Sequence, residues 1–294
     1  MRTLIALIAA AVSAAAVPAV VAKIPLTVAT APCAAAAGGR FVWVSEYGSP
    51  YLVKIDPKTS KVVGKTRIGF GSCGLGSGAG SLWIEDTSSS TISRVSIATG
   101  KRLKAIPVGS TPYDATFAYG AAWTTAYGAG ELERIDPAAN RVTGRWKLGQ
   151  TTGVVGAFGS VWAAGTDGVI RVDPQTGKLL ATIPVVGGAG WTAASADAVW
   201  VTTPTGLARI DPQTNTVAVQ VPLTGAPALG DPDVVDGKVW VPQIRKNSIA
   251  VVDPGTNAIV QTVKAGSGPF VVTQIGGEAW VPSWKGHDIW RFKP

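Results

Sequence analysis

Few side chains here are reactive: one histidine, two cysteines and 18 carboxylates among 294 residues. Nucleophilic catalysis of the Ser-His-Asp kind would need His287 as its base. No Gly-x-Ser-x-Gly elbow accompanies it. His287 stands beside Trp284, Lys285 and Asp288, in what reads as a surface loop. A metal centre needs several converging ligands. One histidine and two cysteines leave mainly oxygen donors, which suit calcium or magnesium. Glu46, Glu85, Asp86, Asp114, Asp167, Asp231, Asp233 and Asp288 fall in predicted connecting loops. Scattered, solvated carboxylates are the plainer reading of that set. The run Gly71-Ser72-Cys73-Gly74-Leu75-Gly76-Ser77-Gly78 is glycine-rich, but no helix follows it to complete a phosphate cradle. No catalytic residue, metal ligand or cofactor is assigned, with calcium or magnesium as the ions the loops would suit.

Recognition chemistry is better represented. Aromatic surface with a few polar groups at a concave mouth suits a small molecule, glycan, peptide or protein. Tyr47, Tyr113, Asp114, Tyr127, Trp191, Arg245, Lys246, Trp284 and His287 are residues of that kind, and each departs from an otherwise regular sequence. They form the candidate ligand-binding set, against the alternative of ordinary loop variation.

The regularity supplies the elements that must hold them. Tryptophans recur at Trp43, Trp83, Trp123, Trp162, Trp200, Trp240 and Trp280, a period that matches the four-stranded blade of a propeller. Glycine stands three residues before most of them, as at Gly80, Gly120, Gly159, Gly237 and Gly277, where a hairpin turn needs positive φ. The tryptophan opens a strand, as in Val199-Trp200-Val201, and is read as packing between blades. A second turn follows, Asp136-Pro137, Asp173-Pro174, Asp211-Pro212 or Asp253-Pro254, in which Asp caps and Pro presets φ. The fold expected is all-β: a seven-bladed β-propeller of four-stranded antiparallel blades. Loops joining outer to innermost strands, and second to third strands, then share one face, which carries the candidate set.

The last repeat stops at Pro294 without an outer strand. Val28-Ala29-Thr30-Ala31-Pro32 aligns with Val108-Gly109-Ser110-Thr111-Pro112, so Ile24 to Val28 are predicted to pair as the outer strand of the seventh blade. Closure of that kind leaves no open edge. Cys33 and Cys73 each lie ten residues before their tryptophan, at equivalent places on adjacent innermost strands. A disulfide between them is expected in an oxidising compartment, with two buried free thiols as the alternative.

On its Trp-Val and Trp-Thr strands, its Arg134-Ile135-Asp136-Pro137 and Arg209-Ile210-Asp211-Pro212 segments and its Gly-x-x-Pro loops, the chain resembles the YVTN-repeat and virginiamycin B lyase (streptogramin lyase) propellers. The resemblance implies the fold over nearly all of the chain. It also implies a histidine after a Gly-x-x-Pro segment, a nearby glutamate and a magnesium ion, together eliminating across an ester. The matching places hold Tyr113 and Phe270, while Glu46 keeps the Trp-x-x-Glu pattern. Phenylalanine is no base, and an ordinary tyrosine is a poor one near neutrality.

Met1-Arg2-Thr3 and the apolar, Ala-rich run to about Val20 read as a secretory signal over residues 1–22, cleaved before Lys23. One propeller domain over residues 23–294 is then periplasmic or secreted. No other stretch approaches the length of a membrane span. Removal of Arg2 leaves 25 basic against 18 acidic residues, +7, spread along the chain. Nucleic-acid binding, which asks for clustered charge, is disfavoured, and a monomer is expected. The leading expectation is an exported binding propeller. The second is a lyase- or hydrolase-like enzyme with a divalent ion at the channel mouth, and the third is adhesion to an anionic polymer.

Overall fold

Each of the seven period-forming tryptophans lies in the second strand of its own four-stranded antiparallel sheet, and the seven sheets form a ring. The structure, a computed structural model, describes residues 17–27, 30–225 and 228–294. The innermost strands of blades 1 to 7 are Pro32–Gly38, Leu75–Gly78, Pro112–Ala118, Thr151–Ala157, Thr192–Ala194, Asp233–Val235 and Thr273–Ile275. A single 3-10 turn, Ile244–Lys246, is the only helical segment among the described residues.

The tryptophans are wedges between blades. All seven are at most 1 % exposed, so they carry large apolar area into the ring. The indole N–H still needs an acceptor. Trp43, Trp83, Trp123 and Trp162 donate to the carbonyl five residues upstream, and Trp200 donates to the Ser195 hydroxyl. Glycine at Gly120 and Gly277 takes φ of 77° and 80°, as the predicted hairpin requires. The Asp-Pro turns form as expected: Asp136 accepts from the amides of Ala138 and Ala139, and Asn140 adopts the left-handed conformation.

A second device joins neighbouring blades. Arg94 lies over its own blade's Trp83 at 4.8 Å and donates to the carbonyl of Pro137 in the next blade. Arg171 repeats the arrangement with Trp162 and Pro212. Each arginine thus ties one blade's wedge to the next blade's turn with charge-assisted bonds.

The N-terminal segment closes the ring, with a boundary that corrects the sequence reading. The outer strand of blade 7 is Ala19–Pro25, paired antiparallel with Asp288–Lys293, with Ile24 opposite Ile289. The predicted Ile24 to Val28 overlaps it only at Ile24 and Pro25, and Val28 lies outside the described residues. The alignment with Val108 explains the offset, because Val108 itself follows its outer strand, Arg102–Pro107. Cys33 and Cys73 form a disulfide between blades 1 and 2, with Cα atoms 5.0 Å apart.

Candidate functional site

The residue two after the blade tryptophan shapes the channel mouth. The innermost strands of blades 1 and 3 break register near their start, and those of blades 2 and 5 begin only after Cys73 and Trp191, which leaves backbone N–H groups that must find acceptors. Ser45 accepts from the Ala34 amide at 3.1 Å, Thr125 from Asp114 at 3.1 Å and Thr202 from Trp191 at 2.8 Å. Glu85 does the same for Cys73 in blade 2. Three hydroxyls and a carboxylate therefore perform one task, and they fix the segments from which the mouth residues project.

Those segments bring together six aromatics. Ring centroids run Tyr127 to Tyr113 at 5.5 Å, Tyr113 to Trp191 at 5.3 Å and Trp191 to Phe270 at 5.2 Å. From Phe270 the string continues to Trp284 at 5.5 Å and to Tyr47 at 4.8 Å. These separations are those of attractive aromatic pairs. Tyr113, Trp191 and Phe270 come from blades 3, 5 and 7 and each immediately precedes a channel residue, Asp114, Thr192 or Val271, so the rings that meet there roof the channel. Trp284 and Phe270 pack on the apolar cluster that contains Cys33 and Cys73. Beside the string, a depression of about 300 Å³ is lined by Tyr47, Tyr113, Ile244, Phe270, Trp284 and Lys285.

Beneath the roof the channel is acidic. A cavity of about 320 Å³ is lined in part by Asp114, Asp231, Asp233 and Thr192. Asp114 accepts from the amides of Ala115 and Val154, and Asp233 from those of Val234 and Gln274. Each therefore bridges to the next blade's innermost segment. Burial pushes the Asp114 carboxyl up to about 6 against those hydrogen bonds. Burial also raises Asp233, and raises Asp231 well above its ordinary value, with further pressure from Asp114 and Asp233 and against a bond from the Thr192 amide. Glu85 is raised well above its ordinary value, first by burial, despite the Cys73 and Gly74 amides; Asp114 adds to the rise. The physical cause is common: charges removed from water favour the protonated form. Close backbone approach makes this enclosure. A Cβ on Gly74 would fall 2.5 Å from the Asp114 Cα, and one on Gly153 would fall 2.7 Å from the Thr192 amide nitrogen.

Of the predicted set, Tyr47, Tyr113, Tyr127, Trp191 and Trp284 are united in the string. Asp114 lies below it in the channel. Arg245 is exposed on the turn whose Ile244 lines the depression. His287 stands apart: its backbone is left-handed at φ 54°, and its carbonyl accepts from the Leu26 amide of the closing segment. Glu46 is wholly buried, not looped out, with Ser49 donating to it. Burial raises its carboxyl, while the Ser49 bond and Lys65 oppose the rise. Among the described residues, no three His, Cys, Asp or Glu side chains are grouped to hold a metal ion. Phe270, Ile244 and Lys285 at the mouth and Thr192 in the channel are members that the sequence did not place in the site. Phe270 had a signal: like Tyr113, Cys33 and Cys73, it sits ten residues before its blade tryptophan.

Comparison with solved structures supports the fold. A family model described as a repeat of unknown function, DUF6923, matches residues 59–190. No curated protein matches the sequence. Among solved structures, a streptogramin B lyase superposes with a TM-score of 0.79 at 15% identity, covering 92% of this chain and 96% of its own. Virginiamycin B lyase from Staphylococcus aureus gives 0.79 and 15%, covering 93% and 98%. Kuenenia stuttgartiensis hydrazine synthase gives 0.78 and 14%, covering 92% and 97%. The chain resembles these propellers in architecture, and at such identities the likeness is one of fold.

Proposed function

We propose that this chain is an exported binding propeller whose mouth takes a small ring-bearing molecule, a sugar or an aromatic, against the string from Tyr127 to Tyr47. The observation that carries the reading is the continuity of that string. Six aromatics from four blades are held in contact beside a depression of ligand size. Rings stack on such surfaces, and Lys285 at the edge offers a cation to a polar or anionic substituent. Export is supported by the signal-like N-terminus and by the disulfide, which suits an oxidising compartment.

Elimination chemistry of the streptogramin lyase kind is less well supported. Tyr113 and Phe270 occupy the places where that family carries its base. Burial, with Tyr47, Tyr127 and Glu85 nearby, raises the Tyr113 hydroxyl further above neutrality, which weakens its claim to serve as a base.

A thermal-shift screen of monosaccharides, disaccharides and aromatic acids tests the proposal. At least one class should raise the melting temperature, with the effect reduced in Trp284→Ala. A panel without any shift, or shifts equal in Trp284→Ala, would reject it.

A further inference from the structure

The axial cavity beneath the aromatic roof has its own chemistry. Its lining residues include Asp114, Asp231 and Asp233 but no lysine, arginine or histidine, although the whole chain carries a net charge of +8. None of the six ion pairs among the described residues involves these carboxylates or Glu85. Two polar atoms in the lining residues are buried without a hydrogen-bond partner: Asp231 Oδ1 and Thr192 Oγ1. Thr192 is only 6 % exposed. Such groups carry a desolvation cost unless something satisfies them. Glu85 Oε2, wholly buried, is a third.

The enclosure also has an entrance. Tyr113, Trp191 and Phe270 close the channel on the side of the outer-to-inner loops. Along the innermost strand of blade 3, exposure then rises from buried Asp114 and Ala115 to half-buried Thr116, Phe117 and Ala118, and Tyr119 is exposed. The channel therefore opens toward the opposite face, where the innermost strands turn into the second strands.

We propose that this channel binds an organic di- or polyamine entering from that opposite face, its ammonium groups on Asp231, Asp233 and Asp114 and its methylenes against Ala193 and Val271. Three features favour that class. The acceptors are carboxylates and a hydroxyl, which match N–H donors. They are not gathered tightly enough for three of them to grip one ion, whereas a chain with amines separated by methylenes reaches acceptors spread along a cavity. The walls between the acceptors are apolar: Ala34, Val154, Ala193 and Val271. Binding of a cation also relieves the mutual repulsion of Asp114, Asp231 and Asp233. Those carboxylates must ionise to receive it, so affinity falls with acid. The groups facing Asp114 and Asp231 are Glu85, Asp233 and one another; no basic residue lines the cavity to oppose the effect.

Calorimetric titration of the full chain with spermidine and putrescine at fixed ionic strength is the test. Saturable binding is expected at pH 7.5, weakened at least fivefold at pH 5.5. Asp231→Asn, which removes a like charge and is expected to fold, should weaken it at least tenfold, and Thr192→Val by a smaller factor. Trp284→Ala should leave it unchanged, so failure of the mouth site and failure of this one are separable. No binding, equal affinity in Asp231→Asn, or an equal response to magnesium would overturn the proposal.

Discussion

The Arg291 guanidinium donates to the Pro57 carbonyl at 2.7 Å, joining residues near the two ends of the chain. It also reaches the Ser60 hydroxyl, pairs with Glu278 and lies over Trp280 at 4.5 Å. This is the tie that Arg94 and Arg171 make between other blades, repeated where blade 7 meets blade 1. The seam is therefore fastened twice, once by the N-terminal strand and once by an arginine.

Arg291→Ala should destabilise the fold by about 2–4 kcal/mol, because it breaks charge-assisted bonds and leaves Glu278 unpaired. Arg291→Lys should recover less than half of that, since an ammonium cannot reproduce the planar fork. Urea unfolding of both variants beside Arg94→Ala gives the comparison; an Arg291→Ala protein as stable as wild type would deny the tie any role.

The closing strand includes residues that a cleavage before Lys23 would remove. A chain beginning at Lys23 keeps the pairs of Lys23, Ile24 and Pro25 but loses those of Ala19, Val20 and Ala22. It should fold and be less stable than one beginning at Val17, by about 1–3 kcal/mol for the lost ladder bonds. Equal melting of the two chains would show that the upstream half of the strand contributes nothing.

The channel carboxylates have a pH signature. Asp114 is raised from 3.8 to about 6 in the folded protein, so between those values the native state holds a proton that the unfolded chain releases. Its contribution is complete below pH ~4 and is lost as pH rises through the folded value, by at most about 3 kcal/mol. Asp253, held at about 2 by Lys238, works in the opposite sense at lower pH. The difference between wild type and Asp114→Asn isolates the first effect. The variant's deficit at pH 4 should shrink at pH 8, and a pH-independent deficit in denaturant melts would contradict the assignment.

The Cys33–Cys73 bond spans 40 residues and joins two blades just under the aromatic string. Chain-entropy reasoning puts its contribution at about 4 kcal/mol. Reduction, or the double Cys→Ser change, should lower stability by that order while far-ultraviolet circular dichroism stays that of the propeller. No change in melting on reduction would contradict the estimate.

How much of this was legible in the sequence depended on which signals repeat. The seven tryptophans, the glycines before them and the Asp-Pro turns recur because every blade solves the same packing and turn problems, so periodicity exposed them. Closure was legible because the last repeat lacks a strand, although aligning Val28 with Val108 placed that strand a few residues late. The site was harder to read. Asp231 and Asp233 looked like loop carboxylates, since nothing local says that the innermost strands gather them, half-buried, into one channel. Phe270 appeared only as the absence of a base, because its partners Trp191 and Trp284 come from other segments. His287, the sole imidazole, drew attention by rarity, yet its backbone serves the seam.

The most direct test of the binding mouth is a fluorescence titration with anilinonaphthalene sulfonate, a ring-bearing anion suited to the string and Lys285. One saturable, blue-shifted binding event is predicted for the folded protein, weakened about tenfold or more in Trp284→Ala and Tyr47→Ala and unchanged in Asp231→Asn. Emission that does not saturate, or affinity indifferent to the loss of Trp284 and Tyr47, would contradict it.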